Sequence, residues 1–378
     1  MRLDNNAICL AKGFKASALS CGLKKGARLD LALIYSEVPA VACGLFTRNR
    51  FAAAPVEICK KHLKGGQAQA IVVNSANANC YTGLRGLRVA GNTTGYAAKL
   101  LGLRETQVLV ASTGIIGRQM DFARIKKALP KLAGSLDRKQ GSKAAYAIMT
   151  TDTRPKALTK KFSAGDCVIT VGAIAKGAGM IMPQMATMLC FITTDAAIEY
   201  HALKEALKEA VDGSFNAISI DGCMSTNDSV IILANGLAGN RILKAGQKDF
   251  LKFKSALKQV CGRLAAMIIS DAEGATKFIT IAVSGARNDT QAQKAAFSIA
   301  NSNLFKAAVY GENRNLGRIV AAVGAARIEA GKQIGIQCSS LKKKSVSVKV
   351  DLRVGAGKAT ALTSDLTPEY VKINAGYN

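Results

Sequence analysis

Few residues in this sequence of 378 have the type and setting that covalent chemistry needs, and Thr187 comes first among them. It follows a glycine-containing stretch, Lys176-Gly177-Ala178-Gly179-Met180, and opens an apolar run, Thr187–Thr194, that reads as a buried strand. A threonine hydroxyl is a weak nucleophile unless a base sits beside it. One economical base is the residue's own α-amine, whose reference pKa is about 7.7–8.0. That amine exists only after the Ala186–Thr187 peptide bond is cut. The hydroxyl can make the cut itself, by attacking the Ala186 carbonyl to form an ester that water then hydrolyses. Ala186 is small and leaves room for the attack. On spacing alone the plainer reading is one more β-branched residue in a strand.

Other catalytic sets are poorly supplied. There are two histidines. His201 sits on the helical pattern Tyr200–Val211, and His62 follows two lysines as at a surface helix end. A Ser-His-Asp or Cys-His machine therefore has little support, and a base for acyl transfer must come from elsewhere. The ten cysteines form no CxxC pair. Their spacing matches no zinc ligand set, so reduced, mostly buried thiols and no metal are expected.

Composition narrows the class further. With hydrophobic residues at 49%, the chain can build a sizeable core, as one large or two medium units. A formal net charge of +27 suggests a nucleic-acid binder at first sight. The basic residues are scattered, however, as Lys24-Lys25, Lys60-Lys61, Lys126-Lys127, Lys160-Lys161 and Lys342-Lys343-Lys344. Aromatic residues are 5% and Trp is absent, so stacking platforms are few. A solvated basic surface that gathers anionic small molecules is the preferred reading, with no nucleic-acid partner. The first residues do not read as a signal peptide. The longest uncharged run, Gly177–Thr194, contains Pro183 and Gln184 and does not read as a membrane span. A soluble, cytoplasmic protein without membrane contact is expected.

The elements that must position these residues alternate along the chain. Leu29–Tyr35, Ala42–Thr47, Ala54–Cys59 and Ala70–Asn74 read as strands. Gly86–Leu101 reads as a helix. Gln107–Ala111 reads as a strand that ends in Ser112-Thr113-Gly114. Asp121–Leu136 reads as a helix capped by Asp121 and broken or kinked at Pro130. Further on, Val168–Val171, Thr187–Thr194, Val230–Leu233, Phe278–Val283, Ile319–Val323 and Ser345–Arg353 read as strands. Ile198–Val211, Lys248–Ile269 and Gln291–Val309 read as helices. Mixed elements in both halves, with no internal repeat and no long linker, predict a layered α/β architecture.

Six blocks of the sequence, in order, carry a resemblance. They are AIVVNSANANCYTG (Ala70–Gly83), ASTGIIG (Ala111–Gly117), MTTDTRPK (Met149–Lys156), KGAGMIMPQMATMLCFITTDAA (Lys176–Ala197), SFNAISIDGCMSTNDSVIILANG (Ser214–Gly236) and SDAEGATK (Ser270–Lys277). The closing stretch DLTPEYVKINAGYN (Asp365–Asn378) follows them. Together they resemble the ornithine acetyltransferase, or glutamate N-acetyltransferase, family over almost the whole chain. Ordered blocks with matching spacing are far more specific than one short motif.

The resemblance implies an α-β-β-α sandwich of the ornithine acetyltransferase and aminopeptidase-like type, self-cleaved into two chains. Residues 1–186 would form the alpha chain and 187–378 the beta chain, the latter ending in a C-terminal strand. Thr187 would be the nucleophile and acyl carrier, with cleavage between Ala186 and Thr187. Thr113 and Gly114 would form the oxyanion hole, a role that suits a turn leaving a strand. Thr153, Lys176, Thr187, Glu273 and Asn374 would contact substrate. Lys176 would hold a substrate carboxylate and Glu273 the cationic amine of ornithine. The plain alternatives are a solvated loop lysine for Lys176, a helix-end charge for Glu273, a turn residue for Thr153 and a polar strand position for Asn374.

The implied reaction moves an acetyl group from N2-acetylornithine to glutamate by a ping-pong route, without metal or organic cofactor. The implied assembly is two alpha and two beta chains. Whether acetyl-CoA also acylates Thr187 is left open. Gly311–Arg318 and Cys223-Met224 depart from the usual family pattern, and the closing block ends before the position where the family usually carries a hydroxyl residue. Competing readings are an amidase or aminopeptidase of similar fold, a basic nucleic-acid-binding protein, and a family member without activity.

Overall fold

The computed structural model describes the whole chain except residues 1, 4–5, 183–187 and 377–378. The chain folds as two compact units. The first holds the N-terminal residues through Gly177, a stretch ending at Ser214, and Met224–Leu264. The second holds a stretch beginning at Ala178, Phe215–Cys223, and the chain from Ala265 onward.

The first unit carries strands β1 (Arg2–Leu3), β2 (Phe14–Leu19), β3 (Leu31–Phe46), β4 (Gln67–Asn74), β5 (Val108–Ser112), β6 (Lys156–Ala164), β7 (Cys167–Lys176), β8 (Leu189–Thr194) and β9 (Ser229–Ala234). Its helices are α1 (Ala54–His62), α2 (Gly83–Leu101), α3 (Phe122–Gly134), α4 (Gly141–Ala147) and α5 (Tyr200–Asp212), and α6 (Lys248–Ser270) begins in it. The strands form one sheet in the order β1-β6-β7-β8-β9-β3-β4-β5, with β2 added beside β3. The β4–β5 and β8–β9 pairs are parallel and the other pairs antiparallel.

Strand β3 organises the sheet. The sequence suggests two strands here, yet one runs from Leu31 to Phe46 and its pairing with β4 shifts between Tyr35 and Ala40. Before the shift it pairs with β2 and β4, and after it with β9 and, at Ala40 and Val41, again with β4. Side chains of opposite parity then face opposite layers. Leu31, Leu33, Ala70, Val72 and Val108 pack beneath α2 and α3, against Val89, Ala97, Ile125, Leu129 and Leu132. Ala32, Ile34, Ile71, Val73 and Leu109 share a core with Ile174, Leu189, Phe191, Ile231 and Leu233 from β7, β8 and β9. On the far side Phe253 of α6 meets Phe162 of β6 edge-on, with ring centroids 6.3 Å apart. The layers thus run helix, strand, strand, helix, as expected. A fully buried phenylalanine such as Phe191 contributes on the order of 1.5–3 kcal/mol.

The second unit is a smaller sheet of β10 (Phe278–Ala286), β11 (Gly335–Cys338), β12 (Ser345–Asp351) and β13 (Gly357–Ser364), in the order β11-β12-β10-β13. One face is covered by α7 (Asp289–Ala300), α8 (Asn303–Tyr310) and α9 (Gly317–Ala325) through Ile279, Ile281, Val283, Ile299, Phe305, Ile319 and Val348. Helix α10 (Pro368–Ala375) follows β13.

Several sequence-based expectations are corrected. Ala54–Cys59 is helical, because Pro55 sits in the first turn and Val56 and Cys59 bury at helical spacing. Ile319–Val323 is helical for the same reason of spacing, with Ile319, Ala322 and Val323 buried on one face. Gln291–Val309 is two helices, and the Ser302 side chain caps the second by accepting the Phe305 N–H. Pro130 leaves α3 unbroken, since it and Lys126, the residue whose carbonyl loses a partner, both face solvent. His62 is buried, and its Nδ1 lies 2.8 Å from the Val108 carbonyl. The expected C-terminal strand is α10, so Asn374 lies on a helix. Among the described residues no helix is long and apolar enough to cross a membrane.

Within the first unit, a Cβ at Gly172 of β7 would lie 1.9 Å from the Ala7 carbonyl oxygen. Gly172→Ala is therefore expected to lower stability by about 1–3 kcal/mol through overpacking. The check is the denaturant midpoint; a midpoint equal to that of the parent chain would show that the Ala7–Cys9 turn yields freely.

Candidate active site

Parallel strands β4 and β5 end side by side, with Asn74 opposite Ser112. Each runs into a loop, and polar side chains satisfy the backbone groups that the ladder no longer pairs. The Ser112 hydroxyl donates to Asn74 Oδ1 at 2.6 Å, and Asn74 Nδ2 donates to the Asn77 carbonyl at 2.9 Å. The Thr113 N–H donates to the Asn74 carbonyl at 3.0 Å. Asn227, just before β9, donates to the Ala78 carbonyl at 2.6 Å and the Ser112 carbonyl at 2.8 Å, tying the two loops together.

Gly114 sits where the loops touch. Its φ is +132°, and a Cβ would fall 2.2 Å from the Ala76 carbonyl carbon and 2.5 Å from the Asn77 nitrogen. Only glycine fits. Opposite it, Ala76, Asn79 and Tyr81 all hold positive φ, at 78°, 46° and 56°. Such a concentration of strained residues persists only where surrounding contacts over-determine it.

Thr113 is buried beside Lys176. The Lys176 Nζ donates to Thr113 Oγ1 at 3.5 Å, a long contact. An ammonium can only donate, so the Thr113 oxygen accepts here and its own hydrogen can point to another acceptor. The Gly114 N–H has no acceptor among the described residues. Thr113 and Gly114 therefore offer two adjacent donors.

Lys176 is not on a loop; it is the last residue of β7 and is buried. Its Nζ lies 3.9 Å from Asp152 Oδ2. Asp152 Oδ1 receives Lys156 Nζ at 2.6 Å and the Gly177 N–H at 2.7 Å, and Oδ2 receives the Thr150 N–H at 3.1 Å. Burial pushes the Asp152 carboxyl up, but the Lys176 and Lys156 ammonium groups and the Gly177 N–H outweigh it and hold it at about 2. Thr153 follows Asp152 on an exposed bend.

Asp228 has the opposite fate. It is fully buried at the start of β9. Its Oδ1 accepts the Met188 N–H at 2.9 Å, while Oδ2 has no hydrogen-bond partner among the described residues. Burial drives its carboxyl well above the ordinary range, against the pull of the Met188 N–H, the Ser225 hydroxyl and the Lys176 charge.

In the second unit Glu273 and Asn374 are brought together. Asn374 Nδ2 donates to Glu273 Oε2 at 2.8 Å, and the Glu273 N–H donates to the Ala178 carbonyl at 2.8 Å. A Cβ at Gly179 would lie 2.3 Å from Glu273 Oε2, so glycine there admits the carboxylate. Thr367 Oγ1 donates to the Gly274 carbonyl at 2.8 Å and fixes the start of α10. Tyr370 of that helix donates to Asp221 Oδ2 at 3.2 Å, and burial, then the Asp221 charge, pushes its phenol upward.

Thr187 and Ala186 lie outside the described residues. Asp152, Lys156, Asn227 and Asp228 are absent from the sequence-based set, although two of the quoted blocks contain them. The available signal is the Asp-x-x-x-Lys spacing in MTTDTRPK, which ordinarily marks an exposed pair. Among the described residues no group of three His, Cys, Asp or Glu side chains is placed to hold a metal.

The charge pair at Asp152 has a pH signature. Its folded pKa is depressed, so the stability it gives is complete above the unfolded value of about 4 and is lost as pH falls toward 2. Asp152→Asn is expected to cost about 3–5 kcal/mol at neutral pH by removing the negative charge that two buried ammonium groups share. It should also flatten the acid-unfolding curve in that window; a curve parallel to the parent's contradicts the pairing.

The ArgJ family model matches residues 15–338 and 335–378. The arginine biosynthesis bifunctional protein ArgJ of Geobacter sulfurreducens is 45% identical over 97% of this chain and 99% of its own. That of Caldanaerobacter subterraneus subsp. tengcongensis is 42% identical over 100% of both chains. An ornithine acetyltransferase from Mycobacterium tuberculosis, solved in complex with ornithine, is 33% identical and covers 48% of this chain and 96% of its own, with a TM-score of 0.43. Matched almost end to end by the family model and by relatives of similar length, the chain belongs to the ArgJ family.

Proposed function

We propose that this chain transfers an acetyl group from N2-acetyl-L-ornithine to L-glutamate through an acetyl ester on Thr187, returning the acetyl group to arginine biosynthesis. Membership of a family whose curated members are called arginine biosynthesis bifunctional proteins supports the pathway. The observation that carries the chemistry is the Thr113-Gly114 turn, with two adjacent donors and Lys176 against the Thr113 oxygen.

Thr187 becomes an N-terminal residue when its hydroxyl attacks the Ala186 carbonyl and water opens the ester. Its α-amine then serves as the base. Oγ attacks the acetyl carbonyl of acetylornithine, the amine takes the hydroxyl proton, and Thr113 Oγ–H and the Gly114 N–H stabilise the oxyanion. The proton passes to the leaving nitrogen and ornithine departs. The amine of glutamate attacks the ester, and Thr187 Oγ recovers its proton. Lys176, with Asp152 and Lys156 fixing its position, receives a substrate carboxylate, and exposed Thr153 contacts substrate. Glu273, oriented by Asn374, receives the ornithine ammonium. The reaction needs no metal or organic cofactor, and acetyl-CoA is a candidate second donor.

Cleavage leaves residues 1–186 and 187–378 held together, since β7 and β8 fall in different pieces and pair from Val171↔Thr194 to Lys176↔Leu189. Two such pairs form the working assembly, in the cytoplasm.

Intact mass on freshly purified protein should show two fragments meeting at Ala186–Thr187, and a Thr187→Ala chain should stay whole. A whole parent chain would overturn the proposal. Gly114→Ala should lower kcat for acetyl transfer by about 100-fold or more, the scale of losing one oxyanion donor. Unchanged kcat would remove the turn from the mechanism. With acetylornithine alone, ornithine release that continues at the same rate without glutamate would indicate an amidase instead.

A further inference from the structure

Helix α10 has no fully buried residue. A helix of 8 residues is too short to hold itself in water, and without a buried face it gains little from packing. Its place in the second unit therefore rests on polar ties. Thr367 Oγ1, at its cap, donates to the Gly274 carbonyl at 2.8 Å. The Tyr370 hydroxyl donates to Asp221 Oδ2 at 3.2 Å. Asn374 Nδ2 donates to Glu273 Oε2 at 2.8 Å. The first and last of these tie the helix to Glu273-Gly274. The Tyr370 tie runs to another part of the unit, and the mechanism above gives it no task.

Asp221 is a fixed anchor. Its Oδ2 also accepts the Met180 N–H at 2.6 Å, and Oδ1 accepts the Ile181 N–H at 3.0 Å and the Cys223 N–H at 3.1 Å. The Ile181 carbonyl in turn accepts the Ile220 N–H at 2.8 Å and the Ser219 hydroxyl at 3.1 Å. The buried Lys306 ammonium donates to the Ile220 carbonyl. Four donors fill the four lone-pair sites of the Asp221 carboxylate, so it holds a frame and has no capacity left for a ligand. Glu273 is the reverse case. Its Oε1 accepts no hydrogen bond among the described residues.

Tyr370 links the two carboxylates. Asn374 stands one turn on, and its Nδ2 donates to the Tyr370 carbonyl at 3.0 Å as well as to Glu273. Both hydrogens of that amide are therefore committed. The Tyr370 N–H donates to Thr367 Oγ1 at 3.2 Å, and a Cβ on Gly274 would lie 2.5 Å from the Tyr370 nitrogen. Burial, then the Asp221 charge, pushes the phenol upward, so the hydroxyl keeps its hydrogen and donates. We propose that Tyr370 is a positioning residue for the amine end of the substrate: its hydroxyl, held on Asp221, sets the helix turn from which Asn374 orients Glu273. This rests on the assignment of the ornithine ammonium to Glu273 given above. Glutamate has no side-chain cation for Glu273 to receive, so the donor half of the reaction alone depends on the tie.

The test compares the parent chain with Tyr370→Phe, which removes one hydroxyl and keeps the ring. In a ping-pong reaction kcat/KM for each substrate reports its own half-reaction. For N2-acetylornithine it should fall about 10-fold, the scale of one lost hydrogen bond, and for glutamate it should stay within about twofold. Ornithine affinity, read by titration calorimetry, should weaken by the same factor. In an Asn374→Ala background the same substitution should add less than about twofold, because Tyr370 acts through Asn374. An unchanged value for acetylornithine, an equal fall for both substrates, or a full further loss in the Asn374→Ala background overturns this proposal and leaves the acetyl-transfer reading standing. A parent that binds ornithine but transfers no acetyl group overturns that reading alone, and the two affinities then decide. A parent that does neither overturns both. If the variant does not fold, the parent decides: linkage requires bound ornithine to slow amide hydrogen exchange in α10, and unchanged exchange contradicts the assignment.

Discussion

The close approach of Gly114 to the Ala76–Asn77 backbone is the constraint on which the first unit's site depends. Two parallel strands deliver loops to one place, and a side chain at Gly114 would collide with the opposite loop. Strain at Ala76, Asn79 and Tyr81 is the local consequence. The hydrogen bonds of Asn74, Ser112 and Asn227 hold the arrangement against it. Because glycine must occupy the contact, its N–H is presented next to the Thr113 hydroxyl. The packing requirement and the donor role proposed for the turn fall on the same two residues.

Charge is then distributed by burial. Asp152 and Asp228 are both removed from water, yet their carboxyls are pushed in opposite directions. Asp152 has two ammonium groups and backbone N–H donors, enough to keep it ionised. Asp228 has the Met188 N–H and the Ser225 hydroxyl but no ion partner among the described residues, so burial pushes its carboxyl well above the ordinary range. One carboxyl is held low beside two lysines, and the other is pushed up by burial.

The layered fold was legible in the sequence where elements are long and strongly patterned. Helices α2, α3, α5 and α6 and strands β4, β5, β8, β9, β10 and β12 all fall close to their expected places. Errors cluster where short β-branched or apolar runs admit either period, as at Ile319–Val323 and Ala54–Cys59; there tertiary packing chose the helix. Thr113, Gly114, Lys176, Glu273 and Asn374 were singled out by the family resemblance, and the structure sets Lys176 beside Thr113 in the first unit and Asn374 beside Glu273 in the second. Asp152 and Asp228 were not singled out, because their burial depends on strands distant in sequence. The pairing of Asn374 with Glu273 across 101 positions is likewise invisible to local pattern.

The central claim is that Thr187 carries the acetyl group. The direct measurement is the mass of the fragment that begins at Thr187 after brief mixing with N2-acetylornithine in the absence of glutamate. The account predicts the gain of one acetyl group on that fragment, placed on Thr187 by tandem fragmentation and discharged when glutamate is added. An unmodified fragment from protein that still forms N-acetylglutamate would contradict it.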